Sequence, residues 1–432
     1  MRRPPNRARL ATAFFALQPV RPALSAGRLP SVGGAACARP GTSAAIAVAF
    51  VIFVNSAARV LPALLAVPIQ QDLGWQISDV AWPITLGIVV SASASPLAGR
   101  GLERWSIRWP LVVSLVLLAV SLASTTFATS PWHLVLAWGL GLGCSGPVSA
   151  SILGAMVGSR GSAAHCGTRF GLLTSMQFLG SAAGLLLTSR AVEALGWRIA
   201  FHAAAVVVLA TAFVVILLVA ASGREVTPQR SASSRHAPSY PEGRGWRFWA
   251  LAAIFCICGA STSGLIDSQL GILCMGAGLG LPSSADVMAI VLLGGAIGSV
   301  ASGYLADRYR ARMLLAGYFV VRALILLWLP FTGLSVVELA RFGALYGLDA
   351  ALTFPALVIL MSANLGSHGI GAAMGWMMAA HVAGATIASA GVVALGLGGY
   401  AIGFASVGLT CLVAAGLAVL LKDPPSNKEP SH

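Results

Sequence analysis

Four ionisable residues stand deep inside long apolar runs of this 432-residue chain: Arg59, Asp267, Asp349 and His381. A charge at the centre of a bilayer costs at least about 2.5–3.5 kcal/mol on insertion scales, so each must face protein or a water-filled path. Their types suggest different work. The planar guanidinium of Arg59 matches a carboxylate, which makes it the candidate anchor for an anion. Asp267 has the opposite sign and suits a resting partner for Arg59, freed by a proton or by arriving substrate. A permanent bridge between the two is the structural alternative. Histidine changes charge near neutral pH and burial brings a carboxyl into the same range, so His381 and Asp349 suit proton transfer. The plainer role for His381 is a hydrogen-bonded packing residue. Arg322 also lies in an apolar run, where snorkelling or pairing within the bundle is expected rather than substrate contact.

Enzymatic chemistry finds no foothold. There is no H-E-x-x-H, no G-x-S-x-G with partners and no Walker loop, so no metal site, nucleophile or phosphate cradle is expected and no cofactor is implied. The seven cysteines are odd in number and sit mostly in apolar runs. Cys256 and Cys258 are spaced C-x-C without a further Cys or His set, which reads as buried inert thiols.

The elements that must position these residues are membrane spans. The composition is 57% hydrophobic and only 9% charged, against about 25% charged in a soluble globular protein. Twelve apolar runs of spanning length follow one another, at roughly 43–68, 80–101, 110–129, 132–157, 169–190 and 198–221, then 248–273, 284–305, 313–331, 335–361, 370–395 and 399–421. In hydrocarbon only a helix satisfies such runs from within, so the fold class is an all-α membrane protein with twelve transmembrane helices. The net charge of +14 is a matter of topology rather than of nucleic-acid binding. With the N-terminus in the cytoplasm, 22 of the 27 Lys and Arg fall in cytoplasmic tails and loops, as the positive-inside rule requires. Both termini are therefore expected in the cytoplasm. Residues 1–42 read as a disordered basic tail, or as an upstream start that the working protein does not use. Residues 222–247, polar and turn-rich, read as a linker, and 422–432 as a second tail. His202, Trp246 and Trp249 read as interface anchors.

The chain is also written twice. "GRGLERWSIR" (99–108) and "GYLADRYRAR" (303–312) share the pattern G-x-x-x-acid-R-x-x-x-R at an offset of 204. The same offset takes Gly139 and Gly143 to Gly343 and Gly347, and Gly171 and Gly180 to Gly375 and Gly384. Two parallel six-helix halves, 43–221 and 248–421, follow, with a substrate site between them near the midplane. At that offset Asp349 matches Ser145 and His381 matches Gln177, so one copy is titratable where the other is neutral. Gln177 joins Arg59, Asp267, Asp349 and His381 as a candidate substrate-lining residue. Gly99, Glu103, Arg104 and Arg108, with Gly303, Asp307, Arg308 and Arg312, are the candidate gate. Its glycines allow close helix approach and its charges form contacts that break as the halves rock. The bland alternative is that these charges only set topology.

The repeated decapeptide resembles the signature loop of the major facilitator superfamily, and "DLGWQISD" (72–79) and "ALGWR" (194–198) are similar to its bacterial monocarboxylate-porter-like branch. Glu103 stands for the usual Asp, and Ser106 and Arg310 for the loop Gly. The resemblance implies secondary movement of a small organic solute by alternating access. An organic anion such as a monocarboxylate with proton symport or exchange is the main expectation. Proton-driven efflux of lipophilic cations, with Asp267 and Asp349 facing the cation, is the second. The implied setting is a bacterial-type inner membrane. The implied partners are the solute, a coupling proton or counter-substrate and the bilayer, with the chain a monomer.

Overall fold

The computed structural model describes residues 42–104, 108–146, 166–222, 245–306, 308–365, 370–395 and 399–423. Among these residues the regular structure is helical, and helices occupy all twelve apolar runs. We number them α1 to α12. The first half holds α1 (Thr42–Arg59, continued by Leu61–Leu73), α2 (Ile77–Arg104), α3 (Arg108–Thr125), α4 (Pro131–Leu134 running into Val135–Leu142), α5 (Cys166–Leu195) and α6 (Trp197–Ser222). The second holds α7 (Trp246–Gly259, Ala260–Leu270, Gly271–Gly276), α8 (Leu281–Ala306), α9 (Ala311–Trp328), α10 (Val336–Ala350, then Thr353–Leu365), α11 (Ile370–Leu395) and α12 (Tyr400–Leu420). Eight of the described helices are long and apolar enough to cross a bilayer, while the apolar cores of α2 and α3, Ser78–Ser91 and Leu111–Thr125, are shorter.

Large apolar side chains such as Phe331, Leu187 and Ile387 stand exposed on the outside of the bundle, where lipid replaces the core as their solvent. The two halves repeat their packing. In the first, α1 lies on α5, α2 on α4 and α3 on α6; in the second, α7 lies on α11, α8 on α10 and α9 on α12. Across the seam α5 packs along α8, and α2 against α11.

Glycine makes this register possible. A Cβ on Gly143 would stand 2.9 Å from the Gly87 carbonyl oxygen, and one on Gly347 would strike the Val291 carbonyl, 204 residues on in both partners. Likewise Gly180 of α5 abuts the Phe53 carbonyl of α1, and Gly384 of α11 abuts the Cys256 carbonyl of α7. Small residues let backbones meet in this way between membrane helices.

The turns explain the "LGW" wording. Gly74 (φ 66°) and Gly196 (φ 82°) end α1 and α5 in the left-handed region, which glycine adopts without Cβ strain. The two turns then join. Asp72 accepts hydrogen bonds from Trp197 Nε1 at 3.0 Å and from Arg198 Nη1 at 2.8 Å. At the end where α1 begins and α12 finishes, Arg312 at the start of α9 pairs with Asp423 at 3.0 Å. Asn364 of α10 exchanges two hydrogen bonds with the Lys422 backbone, at 2.8 and 3.1 Å. The chain is thus fastened to α9 and α10 as it leaves α12.

Of the candidate gate, Gly99 and Arg104 fall in the last turns of α2 and Arg108 begins α3. The side chains of Glu103, Arg104 and Arg108 and the whole of Asp307 lie outside the described residues. In the second copy Gly303 is buried and Arg308 lies over the Tyr304 ring, 4.0 Å from its centroid.

Candidate functional site

Arg59 is placed by a broken helix. Pro62 has no N–H to give to Ala58, and its ring crowds that carbonyl, so the first piece of α1 stops at Arg59 and a new one starts at Leu61. The half-buried guanidinium reaches α4, where Nη1 donates to the Leu142 carbonyl at 3.0 Å and to Ser145 Oγ at 3.0 Å. Ser145 is fully buried; its hydroxyl donates to Leu142 O at 2.8 Å, and its carbonyl accepts from Ser114 Oγ at 2.7 Å. Nη2 lies against Gly146, where an added Cβ would stand 2.7 Å from both Nη2 and Ser91 Oγ. Leu142 closes a π-helical stretch of α4, Val135–Leu142. Such stretches shift carbonyls out of the α ladder and gather at functional sites.

The second half contributes α7, whose middle, Ala260–Leu270, is also π-helical. Asp267 is solvent-accessible although it sits within a span and is crowded by neighbouring helices. Ser263 stands one turn before it on α7. His381 Nε2 lies 3.5 Å from Ser263 Oγ, its Nδ1 is buried without a partner, and its carbonyl presses on Gly259. Gln177 is exposed on α5, one turn before Gly180 and Ser181, which pack on α1.

The expected meeting of Arg59 with Asp267 is not observed: among the described residues Arg59 enters no ion pair, and it donates to neutral groups of α4. Asp349 differs more sharply from expectation. Rather than lining the site, it is 1% exposed and pairs with Arg322 of α9 at 2.6 Å, inside the second half. The reason is the break in α10 after Ala350, which turns carbonyls out of the α-helical ladder. Arg322 Nη2 takes those of Asp349 at 3.1 Å and Ala350 at 3.2 Å, while Nη1 donates to Ser261 Oγ at 3.2 Å. Arg322 thus caps a helix C-terminus, where positive charge is favoured. Pairing within the bundle, as its sequence position suggests, is what Arg322 does.

A symmetry invisible in single residues links the two arginines. Ser145 and Asp349 are repeat mates, and each receives an arginine: Arg59 from α1 in one half, Arg322 from α9 in the other. Ser91, Ser145, Gly146 and Ser263 went unsuspected in the sequence because serine and glycine are common in such helices. The 204-residue offset held one clue, since 59 + 204 = 263 places Ser263 opposite Arg59 in the copy.

With this geometry in view, comparison with known proteins is specific. The Major Facilitator Superfamily pattern matches residues 44–332 and 262–432. The chain belongs to this superfamily. Within it, the chain is 28% identical over 324 residues to monocarboxylate transporter 11 of Mus musculus, covering 69% of this chain and 68% of that protein. It is 29% identical over 177 residues to the purine ribonucleoside efflux pump NepI of Escherichia coli K12, covering 40% of this chain and 44% of the pump. The superfamily match fits the twelve helical runs and the repeated halves, and makes the chain an integral, multi-pass membrane protein. It also points to a transporter rather than an enzyme.

Proposed function

We propose that this superfamily member is a secondary transporter for a small organic anion, foremost a monocarboxylate, moved by alternating access with proton symport or exchange. The observation that carries the reading is Arg59: a guanidinium in mid-span, held by the neutral groups of α4. Such a charge invites a carboxylate, which would supply the counter-charge that the bilayer withholds. Asp267 and His381 on the facing half supply titratable groups beside the same space, and Gln177 completes the proposed lining. The two copies of the acid-Arg loop act as the gate that favours one arrangement of the halves over the other. The termini lie in the cytoplasm by the distribution of Lys and Arg, in a bacterial-type inner membrane, and the chain works as a monomer. The relative named a monocarboxylate transporter supports the choice of solute.

A second reading has its own support. Asp267 is an accessible acid, and part of the chain is similar to a purine ribonucleoside efflux pump. Export of an uncharged or cationic solute would use Asp267 rather than Arg59.

Thermal unfolding of the detergent-purified protein separates the two. A ligand that binds only the folded state raises the midpoint with its occupancy, whatever the direction of transport. Small carboxylates are expected to raise it in the wild type and to lose that effect in Arg59→Gln. Stabilisation by nucleosides or lipophilic cations alone, lost in Asp267→Asn, would replace the anion reading with export.

A further inference from the structure

The two halves treat their intramembrane arginines alike in geometry and unlike in charge. Ser145 and Asp349 hold the same place in the repeat, both sealed from solvent at 0% and 1% exposure. Each meets one guanidinium arriving from another helix. Asp349 Oδ2 accepts from Arg322 Nε at 2.6 Å, and Ser145 Oγ accepts from Arg59 Nη1 at 3.0 Å. The next residue continues the likeness. Arg322 Nη2 donates to the Ala350 carbonyl at 3.2 Å, and Arg59 Nη2 stands 2.7 Å from where a Cβ on Gly146, the mate of Ala350, would be. The arginines themselves do not correspond. At the offset of 204, position 322 falls on the buried Leu118 and position 59 on Ser263. What the halves share is therefore the place that receives a guanidinium, not the helix that sends it.

The balance of charge differs at that place. Arg322 is fully buried beside its acid, so the pair is neutral and closed. Arg59 stays partly accessible and meets only a hydroxyl and a carbonyl of α4. Among the described residues no carboxylate lies within ion-pair distance of it. The serine is also set in one role. Its single hydroxyl proton goes to the Leu142 carbonyl at 2.8 Å, so its oxygen is left to accept from Arg59. Its own carbonyl is held by Ser114 Oγ at 2.7 Å. Ser145 thus fixes the guanidinium without cancelling its charge.

We infer that Ser145 is the charge-selecting residue of the site at Arg59. It occupies the counter-ion position of the repeat and, being neutral, leaves the counter-charge to be brought by the solute. It is a positioning residue, acting through Arg59. An acid at 145 would do for Arg59 what Asp349 does for Arg322, and the preference for anions would vanish. The inference takes its solute from the anion reading and its counter-ion position from the repeat.

Thermal unfolding of the full chain at alkaline pH, where a buried acid without a partner is costliest, tests both parts. Without solute, Ser145→Asp should leave the midpoint within a few degrees of Ser145→Asn, because Arg59 receives the acid. In the Arg59→Gln background the same change should lower it far more than Ser145→Asn does. With solute, the wild type and Ser145→Asn should respond to a small monocarboxylate and not to its amide. Ser145→Asp should weaken that response about ten-fold or more. The inference is overturned if Ser145→Asp costs the same with and without Arg59, if it unfolds a chain that tolerates Ser145→Asn, or if the carboxylate response survives it. Should both side chains prove too large, Ser145→Ala decides. The preference for acid over amide should persist at lower affinity, and its loss with the hydroxyl would refute the assignment. A wild type blind to carboxylates removes the anion reading, while the solute-free comparison still decides the counter-ion position. Equal costs in that comparison leave the anion reading standing.

Discussion

At the scale of single residues, the two intramembrane arginines predict opposite kinds of loss. Arg59→Gln removes a charge-assisted contact to solute, and hydrogen bonds to charged groups contribute about 1.5–3 kcal/mol. Carboxylate affinity should therefore fall roughly ten- to hundred-fold, measured by titration of the thermal midpoint, while the fold persists. Arg322→Met strands Asp349 in the core, since Arg322 is the partner of its one bonded oxygen. Breaking a buried pair in this way costs about 3–5 kcal/mol. The midpoint should drop steeply, and adding Asp349→Leu should recover much of it. Asp349→Asn alone should cost less than Arg322→Met, because the guanidinium keeps its neutral acceptors. Equal losses from the two single changes would contradict that asymmetry. Residue types alone marked Arg59 and Asp267 for the proposed site and assigned Arg322 to pairing. They misjudged Asp349, because what decides its surroundings is a break in its own helix, and no residue at that position announces the break's geometry.

At the scale of helices, close crossings at glycine carry the packing. In α11, Gly384 meets the Cys256 backbone while Gly391 has nothing within 4 Å of an added Cβ. Gly384→Ala should force α7 and α11 apart and lower the thermal midpoint by several degrees. Gly391→Ala should leave it unchanged or raise it, because alanine is the better helix former by up to about 1 kcal/mol. A neutral Gly384→Ala would mean that the crossing is looser than described. This layer was legible early, since hydropathy marked all twelve helical runs and the offset of 204 paired their glycines. The π-helical stretches of α4 and α7 were not. A change of hydrogen-bond register within one apolar helix leaves its hydropathy unchanged.

At the scale of the whole molecule, the halves meet along α5 and α8. Near the start of α5, Ser299 Oγ donates to the Gly171 carbonyl at 3.0 Å. Towards the opposite side Arg190 of α5 pairs with Asp286 of α8 at 3.0 Å, both partners about half exposed. A contact between moving bodies biases the arrangement in which it is formed. Asp286→Ala should thus widen the distance between spin labels placed at the far ends of α5 and α8. The charge exchange Arg190→Asp with Asp286→Arg should narrow it again. Unchanged distances in the single variant would show the pair to be incidental.

The clamp that binds Lys422 and Asp423 to α10 and α9 has a practical side. A flexible tail reports mainly on itself, whereas a segment pinned at two helices moves with them. A fluorophore attached to the side chain of Lys422 would follow the second half as a rigid body for as long as Arg312 and Asn364 hold. Paired with a second dye on α3 or α6, it would turn the rocking of one half against the other into a signal that can be followed in real time, one molecule at a time.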